Sequence, residues 1–246
     1  MEEKYNAVVI RATNYKENDK IINLFTLEGG IVSAKLVGVK KANSKLKFAG
    51  EIFCFGEFVL IEKDGRRTVK EVNQIDSFYD LRFDLDKFYA GSTMAELVSK
   101  LLIDQMKSYE LFLCFINALR TLNEKDINAD LVLATFILNA MKFQGYELDF
   151  EKCAVCGNEI KHRSFFSFSD GRSVCSNCAG DVDTEIRYST YSLLKECSVS
   201  QKDISFNFLE KITFDENQLK NVLRFLDFAL KQLLDINLKS LSYFTE

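Results

Sequence analysis

Residues 5–39, YNAVVIRATNYKENDKIINLFTLEGGIVSAKLVGV, decide the fold of the first third of this chain. They contain three short runs of β-branched and aromatic residues that are separated by turn-forming residues, a pattern typical of strands. Glu28-Gly29-Gly30 marks a hairpin between the second run and the third. Two further runs of the same kind follow, EIFCFGEFVLIEKDG at 51–65 and RRTVKEVNQIDSF at 66–78. The sequence therefore predicts five strands within residues 1–80.

Five short strands are most economically arranged as a small barrel of the oligonucleotide-binding (OB) type, although an SH3-like barrel would give a similar pattern. Asp64-Gly65 marks a second hairpin in this region. Gly56 lies inside the longest run and indicates a bulge where the barrel turns a corner. We expect residues 1–80 to form an OB-fold domain.

The pattern changes to helical spacing after residue 80. TMAELVSKLLIDQM (93–106) has apolar residues at helical intervals, and Thr93 to Glu96 resembles a capping box. YELFLCFINALRTL (109–122) and ADLVLATFILNAMKFQGY (129–146) are apolar all round and are typical of helices inside a bundle, with Gly145 ending the second. Helical patterns resume at 188–200 and 216–236. We predict an α+β protein in which residues 81–246 form a helical domain.

Two Cys-x-x-Cys pairs interrupt the helical region within residues 152–180, KCAVCGNEIKHRSFFSFSDGRSVCSNCAG. The spacing between the pairs is that of a four-thiolate zinc ribbon, and Gly157 gives the first knuckle its backbone freedom. The intervening FFSFSDGRSV predicts a hairpin around an Asp-Gly turn. Four thiolates leave no open position for water or substrate, so we predict one structural Zn²⁺ per chain in an insertion at about 150–182. The predicted ligands are Cys153, Cys156, Cys175 and Cys178.

Paired cysteines have other uses, namely a disulfide, a redox dithiol or an iron–sulfur cluster. Disulfides persist in oxidising compartments, and the first residues, MEEKYNAVVIRATNY, lack a basic leader followed by an apolar run, so we expect a cytoplasmic protein. A redox dithiol needs only one pair in a βαβ setting, and an iron–sulfur cluster stays a minor alternative. His162 could replace one thiolate, but a surface position is expected for it. The other three cysteines are Cys54, Cys114 and Cys197. Each lies in an apolar run that is typical of a core.

Composition and motifs restrict the possible functions. The chain has 246 residues, 47% of them hydrophobic, and no stretch that approaches a membrane span. With one histidine and none of the common nucleotide-binding, nucleophile-elbow or metalloprotease motifs, the chain is predicted not to be an enzyme. Two rivals remain open: a zinc-ribbon transcription or translation factor, and a nuclease that uses paired carboxylates such as Asp84 and Asp86. The start of a solvated helix is the simpler interpretation of that pair.

The basic residues of the chain are concentrated in one segment. The net charge is −4, so any binding to nucleic acid must come from a local patch. Residues 29–50 contain no acidic residue and five lysines, while the next hairpin adds two arginines, a composition suited to contacts with a phosphate backbone. Solvated lysines that serve solubility are the alternative. The candidate DNA-binding residues are Arg11, Lys35, Lys40, Lys41, Lys45, Lys47, Arg66 and Arg67, with Tyr15, Phe25 and Phe48 as candidate stacking aromatics that would also suit a core.

Two stretches resemble a known family. VVIRATNYKENDKIINLFTLEGGIVSAKLVGVKK (8–41) resembles the opening of the bacterial recombination mediator RecO family, and LNAMKFQGYELDFEKCAVCG (138–157) resembles the helix that leads into its first cysteine pair. The resemblance extends over nearly the whole chain. One departure is the missing proline that relatives often place before the first cysteine pair, which affects only the expected shape of that loop.

This resemblance implies a role in DNA repair and recombination without catalysis. It implies binding to single- and double-stranded DNA, annealing of complementary strands and, with RecR, loading of RecA onto DNA coated by single-strand-binding protein (SSB). Binding of the acidic C-terminal tail of SSB would need an apolar pocket bordered by cations. Arg120 and Lys142 are candidates for these cations in the helical region. A nucleoid-associated cytoplasmic protein is expected.

Overall fold

A computed structural model describes residues 1–102, 107–198 and 204–245. The chain divides into two compact units. The first comprises Met1–Asp84 and Ala95–Phe112, and the second comprises Leu85–Met94 and Leu113–Glu246. No helix in the described part of the chain is long and apolar enough to cross a membrane.

A closed five-stranded barrel dominates the first unit. Its strands follow the order β1-β2-β3-β5-β4, and β1 pairs with β4 to close it. All pairings are antiparallel except that between β3 and β5, which rests on the single parallel pair Lys35 and Thr68. This order is that of an OB fold, so the five-stranded prediction is confirmed. The strands are β1 (Glu2–Tyr15), β2 (Asp19–Thr26), β3 (Gly30–Leu36), β4 (Phe55–Lys63) and β5 (Arg66–Asp76).

Glycines occupy a bulge and a hairpin turn of the barrel at the positions that the sequence predicts. The β4–β5 ladder shifts register between Phe55 and Gly56, and a Cβ at Gly56 would lie 2.3 Å from the backbone oxygen of Asn73. Only glycine fits this approach, which confirms the predicted bulge. Asp64 and Gly65 have φ values of 53° and 70° and close a two-residue hairpin turn, since Lys63 pairs with Arg66.

The barrel is filled by alternating apolar side chains from all five strands. Ala7, Val9, Ile22, Leu24 and Phe58 are among the buried residues of this interior cluster. The outer face of β1 is also covered, because Val8 and Ile10 are buried as well. Burial on both faces explains why the run Ala7–Ile10 is continuously apolar rather than alternating.

The described residues form six α-helices, and α1 begins earlier than predicted. The prediction of a capping box at Thr93 and Glu96 is wrong, because Thr93 lies fully buried inside α1 and Asp86 occupies the first turn. The predicted continuation of this helix over 103–106, like the predicted helical residues 199 and 200, lies outside the described residues. The helices are α1 (Leu85–Leu101), α2 (Tyr109–Glu124), α3 (Ala129–Phe143), α4 (Tyr188–Ser198), α5 (Glu216–Leu234) and the single turn α6 (Ser242–Thr245).

Helix α3 forms the centre of the second unit. The side chain of Asn128 caps its start by accepting from the N–H groups of Asp130 and Leu131. Residues from Ala129 to Met141 are almost all buried, as the uniformly apolar sequence predicts. Gly145, with φ of +87°, follows its end as expected. Helices α4 and α5 both pack against α3, so helices from the end of the chain contact a helix from its middle.

A three-stranded sheet of order β7-β6-β8 lies between α3 and α4 in the chain, formed by β6 (Ser164–Ser167), β7 (Arg172–Cys175) and β8 (Thr184–Ile186). Phe166 of β6 contacts Phe150 and Phe225, with ring centroids 5.3 Å apart in both pairs. The hydroxyl of Tyr191 in α4 donates to the backbone oxygen of Phe150 at 2.9 Å. This aromatic cluster attaches the cysteine-containing sheet to α4 and α5, so the folded position of that sheet depends on apolar packing as well as on its cysteines.

Candidate metal centre and nucleic-acid interface

The two Cys-x-x-Cys pairs form tight knuckles. The N–H of Gly157 donates to the backbone oxygen of Cys153 at 2.9 Å, and Gly157 takes a φ of +72° that favours glycine. In the second knuckle the N–H groups of Cys178 and Ala179 both donate to the oxygen of Cys175 at 3.0 Å. Each backbone turn directs its two sulfurs to the same side.

The four sulfurs converge on one point. The Sγ atoms of Cys153, Cys156, Cys175 and Cys178 all lie within 4.8 Å of one another, and those of Cys156 and Cys175 are 3.8 Å apart. A disulfide would need a separation of about 2.05 Å. This donor set can therefore hold one metal ion between four thiolates. His162 is exposed and does not belong to the cluster, in agreement with its expected surface position.

Hydrogen bonds prepare Cys153 as a thiolate. Burial alone would raise the pKa of its thiol, but the backbone N–H groups of Cys156, Cys175 and Val155 donate to the sulfur and lower the pKa to about 6. Side-chain hydrogen bonds with Cys175 and Cys156 have the opposite effect on Cys178 and raise its pKa. A metal ion that binds all four sulfurs must displace the protons that remain, so its binding releases protons.

The other three cysteines belong to the cores. Cys54, Cys114 and Cys197 are each almost completely buried, as predicted from their apolar neighbours. Burial raises the pKa of Cys54 and of Cys197 to about 12 and raises that of Cys114 as well. These thiols stay protonated at neutral pH and act as small apolar side chains.

Residues 37–54, here called the lysine loop, connect β3 to β4 and are anchored along their length. Val39 and Ala49 are buried in the barrel core, and Phe48 packs against it. The N–H of Gly38 donates to the carboxylate of Asp19 at 2.7 Å. The loop is thus held against the barrel on both sides of its lysines.

The charged side chains of the lysine loop point outward from these anchors. All four of its lysines are exposed, and within the described residues none of them forms an ion pair. Because anchored residues lie on both sides of the lysines, the ammonium groups form a surface that could contact several phosphates together. These lysines are Lys40, Lys41, Lys45 and Lys47.

A second cationic surface, here called the cationic groove, lies between the end of β1, strand β3 and the β4–β5 hairpin. Its volume is about 770 Å³, and Asp64 is the only acidic residue among the described residues that line it. Three of its cations are among the candidates predicted from the sequence, whereas Lys16 and Lys63 are not, because each stands next to an acidic residue in the sequence. The cations of the groove are Lys16, Lys35, Lys63, Arg66 and Arg67.

Two of these cations are held by carboxylates of the barrel. The ammonium of Lys35 lies 2.8 Å from Asp19, and Arg67 lies 3.3 Å from Glu3 and 3.1 Å from Glu62. The N–H of Gly38 and the ammonium of Lys35 lower the pKa of Asp19, so this carboxylate is ionised at neutral pH. The ion pairs fix Lys35 and Arg67 in position and reduce the charge that each offers to a ligand.

The remaining candidates are dispersed. Arg11 is exposed on β1 beside a register shift of the β1–β2 ladder and does not line the groove. Phe25 is fully buried, whereas Tyr15 is 42% exposed and lines the groove. In the second unit, Arg120 is exposed and Lys142 lies 2.9 Å from Glu147. Tyr15 is thus the one of the three predicted aromatics that combines an exposed ring with cationic neighbours.

Comparison with known sequence families covers both units. The family described as Recombination protein O N terminal matches residues 1–78, and that described as Recombination protein O C terminal matches residues 82–242. The chain belongs to the RecO family. The resemblance noted in the two quoted stretches is therefore confirmed, and the protein is a member of a DNA repair and recombination family.

Individual RecO relatives match over most of their length. The chain is 36% identical to the DNA repair protein RecO of Clostridium novyi (strain NT) over 192 residues, which cover 78% of this chain and 75% of that relative. It is 28% identical to the DNA repair protein RecO of Clostridium perfringens over 234 residues, which cover 95% of this chain and 94% of that relative. The RecO-like region therefore includes both the barrel and the cysteine cluster.

Proposed function

We propose that this RecO-family chain is a non-enzymatic recombination mediator. It binds single- and double-stranded DNA, anneals complementary strands and, together with RecR, helps to load RecA onto SSB-coated single strands. The observation that carries this proposal is the concentration of exposed cations on the barrel of a chain whose net charge is −4. Annealing requires a surface that screens two phosphate backbones without reading their sequence, and point charges on a fixed loop meet that requirement.

The proposed division of labour follows the distribution of charge. Residues 1–80 carry a net charge of +1, while residues 81–150 carry −3 and residues 151–246 carry −2. Acidic surface repels phosphate on average, so we assign DNA to the OB-fold domain (1–80) and protein partners to the helical domain (81–246). The SSB tail would then bind where a few cations border an apolar surface, with exposed Arg120 as the first residue to test.

We further propose that the cysteine cluster holds one structural Zn²⁺. Four thiolates at about 2.3 Å from one zinc ion stand about 3.8 Å apart at the corners of a tetrahedron. The separation of 3.8 Å between the sulfurs of Cys156 and Cys175 agrees with that geometry. The cysteines of an iron–sulfur cluster bind different iron atoms and would not all lie within 4.8 Å of one another. With four protein ligands the ion would stabilise the sheet and take no part in a reaction.

Annealing of SSB-coated complementary strands is the direct test of the proposed function. Labelled strands are coated with SSB and mixed with the protein, with and without RecR, and duplex formation is followed by fluorescence. We expect faster annealing than with SSB alone, and RecA filament formation that depends on both proteins. Annealing no faster than the SSB-only reaction would contradict the proposal.

The same samples distinguish the two rival functions. Incubation with DNA and Mg²⁺ would reveal a carboxylate-dependent nuclease by the appearance of cleaved strands, which we do not expect. A zinc-ribbon transcription or translation factor would prefer one promoter, tRNA or ribosomal site over unrelated DNA, whereas the mediator should bind without regard to sequence. A mediator acts on chromosomal DNA, so we place the protein in the cytoplasm at the nucleoid.

A further inference from the structure

We propose that the cationic groove selects single-stranded DNA by stacking one unpaired base on Tyr15. This inference rests on the proposed DNA-binding function and adds strand selectivity to it. The lysine loop is then the surface that contacts phosphates in either strand form, and the groove is the surface that distinguishes the two forms.

The position of Tyr15 suits it for contact with a ligand. Tyr15 is 42% exposed at the end of β1, where it pairs with Asp19 across a tight turn. Lys16 begins this turn with a φ of +55°, a left-handed conformation that is uncommon for a residue with a side chain. Residues held in such conformations are concentrated at functional sites.

Two ammonium groups lie over the ring of Tyr15. The ammonium of Lys35 lies 5.3 Å from the ring centroid and that of Lys16 lies 5.6 Å from it. Lys35 is fixed by Asp19, whereas Lys16, Lys63 and Arg66 form no ion pair within the described residues. A base on the ring would thus have its flanking phosphates beside side chains that are free to bind them. Binding to single strands commonly combines an aromatic platform and cations in this way.

The bases of a duplex cannot reach Tyr15 without being unstacked. In duplex DNA each base is paired and covered by its neighbours, and its extrusion costs at least as much free energy as one stacking contact returns. A single strand does not incur this cost. The groove, at about 770 Å³, also has the size of a site for a small ligand. The preference of the groove for an unpaired strand follows from the cost of extruding a base from a duplex.

The decisive comparison uses Tyr15→Ala and Tyr15→Phe in the full chain. Affinities for a labelled single strand and for a hairpin duplex are measured by fluorescence anisotropy at one salt concentration. Tyr15→Ala should weaken single-strand binding by about 5- to 150-fold, the range observed for loss of one base–aromatic stack. Duplex affinity should change by less than about twofold, and Tyr15→Phe, which keeps the ring, should bind both forms as the wild type does.

Abasic DNA supplies a second readout that a merely structural role of Tyr15 would not affect. A single strand of abasic sites should bind the wild type as weakly as normal DNA binds Tyr15→Ala, and should bind both proteins equally. Equal weakening of duplex and single-strand binding by Tyr15→Ala, or no weakening of either, would overturn the inference and leave the proposed function standing. A wild-type protein that binds neither DNA form would overturn both.

Discussion

Neutralising the lysine loop should change how DNA binding depends on salt, and the structure sets the size of the change. Lys40, Lys41 and Lys45 are exposed and free of ion pairs within the described residues, so each can neutralise one phosphate. Each phosphate contact to a single strand contributes about −0.7 to the slope of log affinity against log salt. The variant Lys40→Gln/Lys41→Gln/Lys45→Gln should therefore have a slope shallower by about 2.

A slope difference of this size is easily measured. Between 50 and 200 mM KCl, the affinity of the wild type should fall by about 20-fold more than that of the variant. Fluorescence anisotropy with an unstructured labelled single strand gives both slopes, and a second strand of unrelated sequence should give the same values.

A matched control separates local contacts from net charge. Lys152, Lys161 and Lys211 are exposed in the second unit, and their replacement by glutamine removes the same total charge. We expect the control to keep the wild-type slope. If the loop variant also keeps the wild-type slope while remaining folded, the loop lysines do not contact phosphates.

Three further predictions concern stability and the metal. Cys156→Ser should reduce bound zinc below one ion per chain and lower the melting temperature, because the ion stabilises the folded structure. The control His162→Ala should keep the wild-type zinc content, measured by elemental analysis, and the wild-type melting temperature, measured by circular dichroism. A metal-free wild type would contradict the assignment. Gly56→Ala should destabilise the barrel by about 3 kcal/mol in urea unfolding, because its Cβ would lie 2.3 Å from the backbone oxygen of Asn73. Gly65→Ala has open space around it and should cost only about 1 kcal/mol, for a Cβ at a φ of +70°. Equal losses would argue against the clash. Burial and the nearby Asp86 raise the pKa of Asp130 to about 6 in the folded state. Folding therefore favours the protonated carboxyl, and the contribution of Asp130 to the free energy of unfolding falls as the pH rises from about 4 through 6. Asp130→Asn should therefore stabilise the protein by about 1–2 kcal/mol at pH 7 and have no effect below about pH 4; a benefit independent of pH would disprove this cause.

Local sequence determined the elements whose signals are local. The five strands, the Asp64-Gly65 turn and the bulge at Gly56 follow from alternation and from glycine placement, which act over a few residues. The two cysteine pairs were recognisable because each knuckle is set by the backbone of its own residues. The buried run of α3 was equally clear, since a helix that is apolar all round can only lie inside a bundle.

The start of α1 shows where local signals fail. Thr93 and Glu96 have the spacing of a capping box, yet the helix begins at Leu85 and buries Thr93 completely. Packing of the surrounding helical residues outweighs a capping preference of about 1 kcal/mol, and a single sequence does not reveal that packing.

The two cationic surfaces proposed to bind DNA depend on tertiary structure. The groove joins residues from the end of β1, from β3 and from the β4–β5 hairpin, so no local pattern marks Lys16 and Lys63 as its members. Ion pairs between distant strands hold Lys35 and Arg67, while Lys40 and Lys41 stay free of ion pairs within the described residues. Sequence supplied the number of positive charges, but only the closed barrel determined which of them are held by carboxylates, because ion pairing acts over a few ångströms in space and not along the chain.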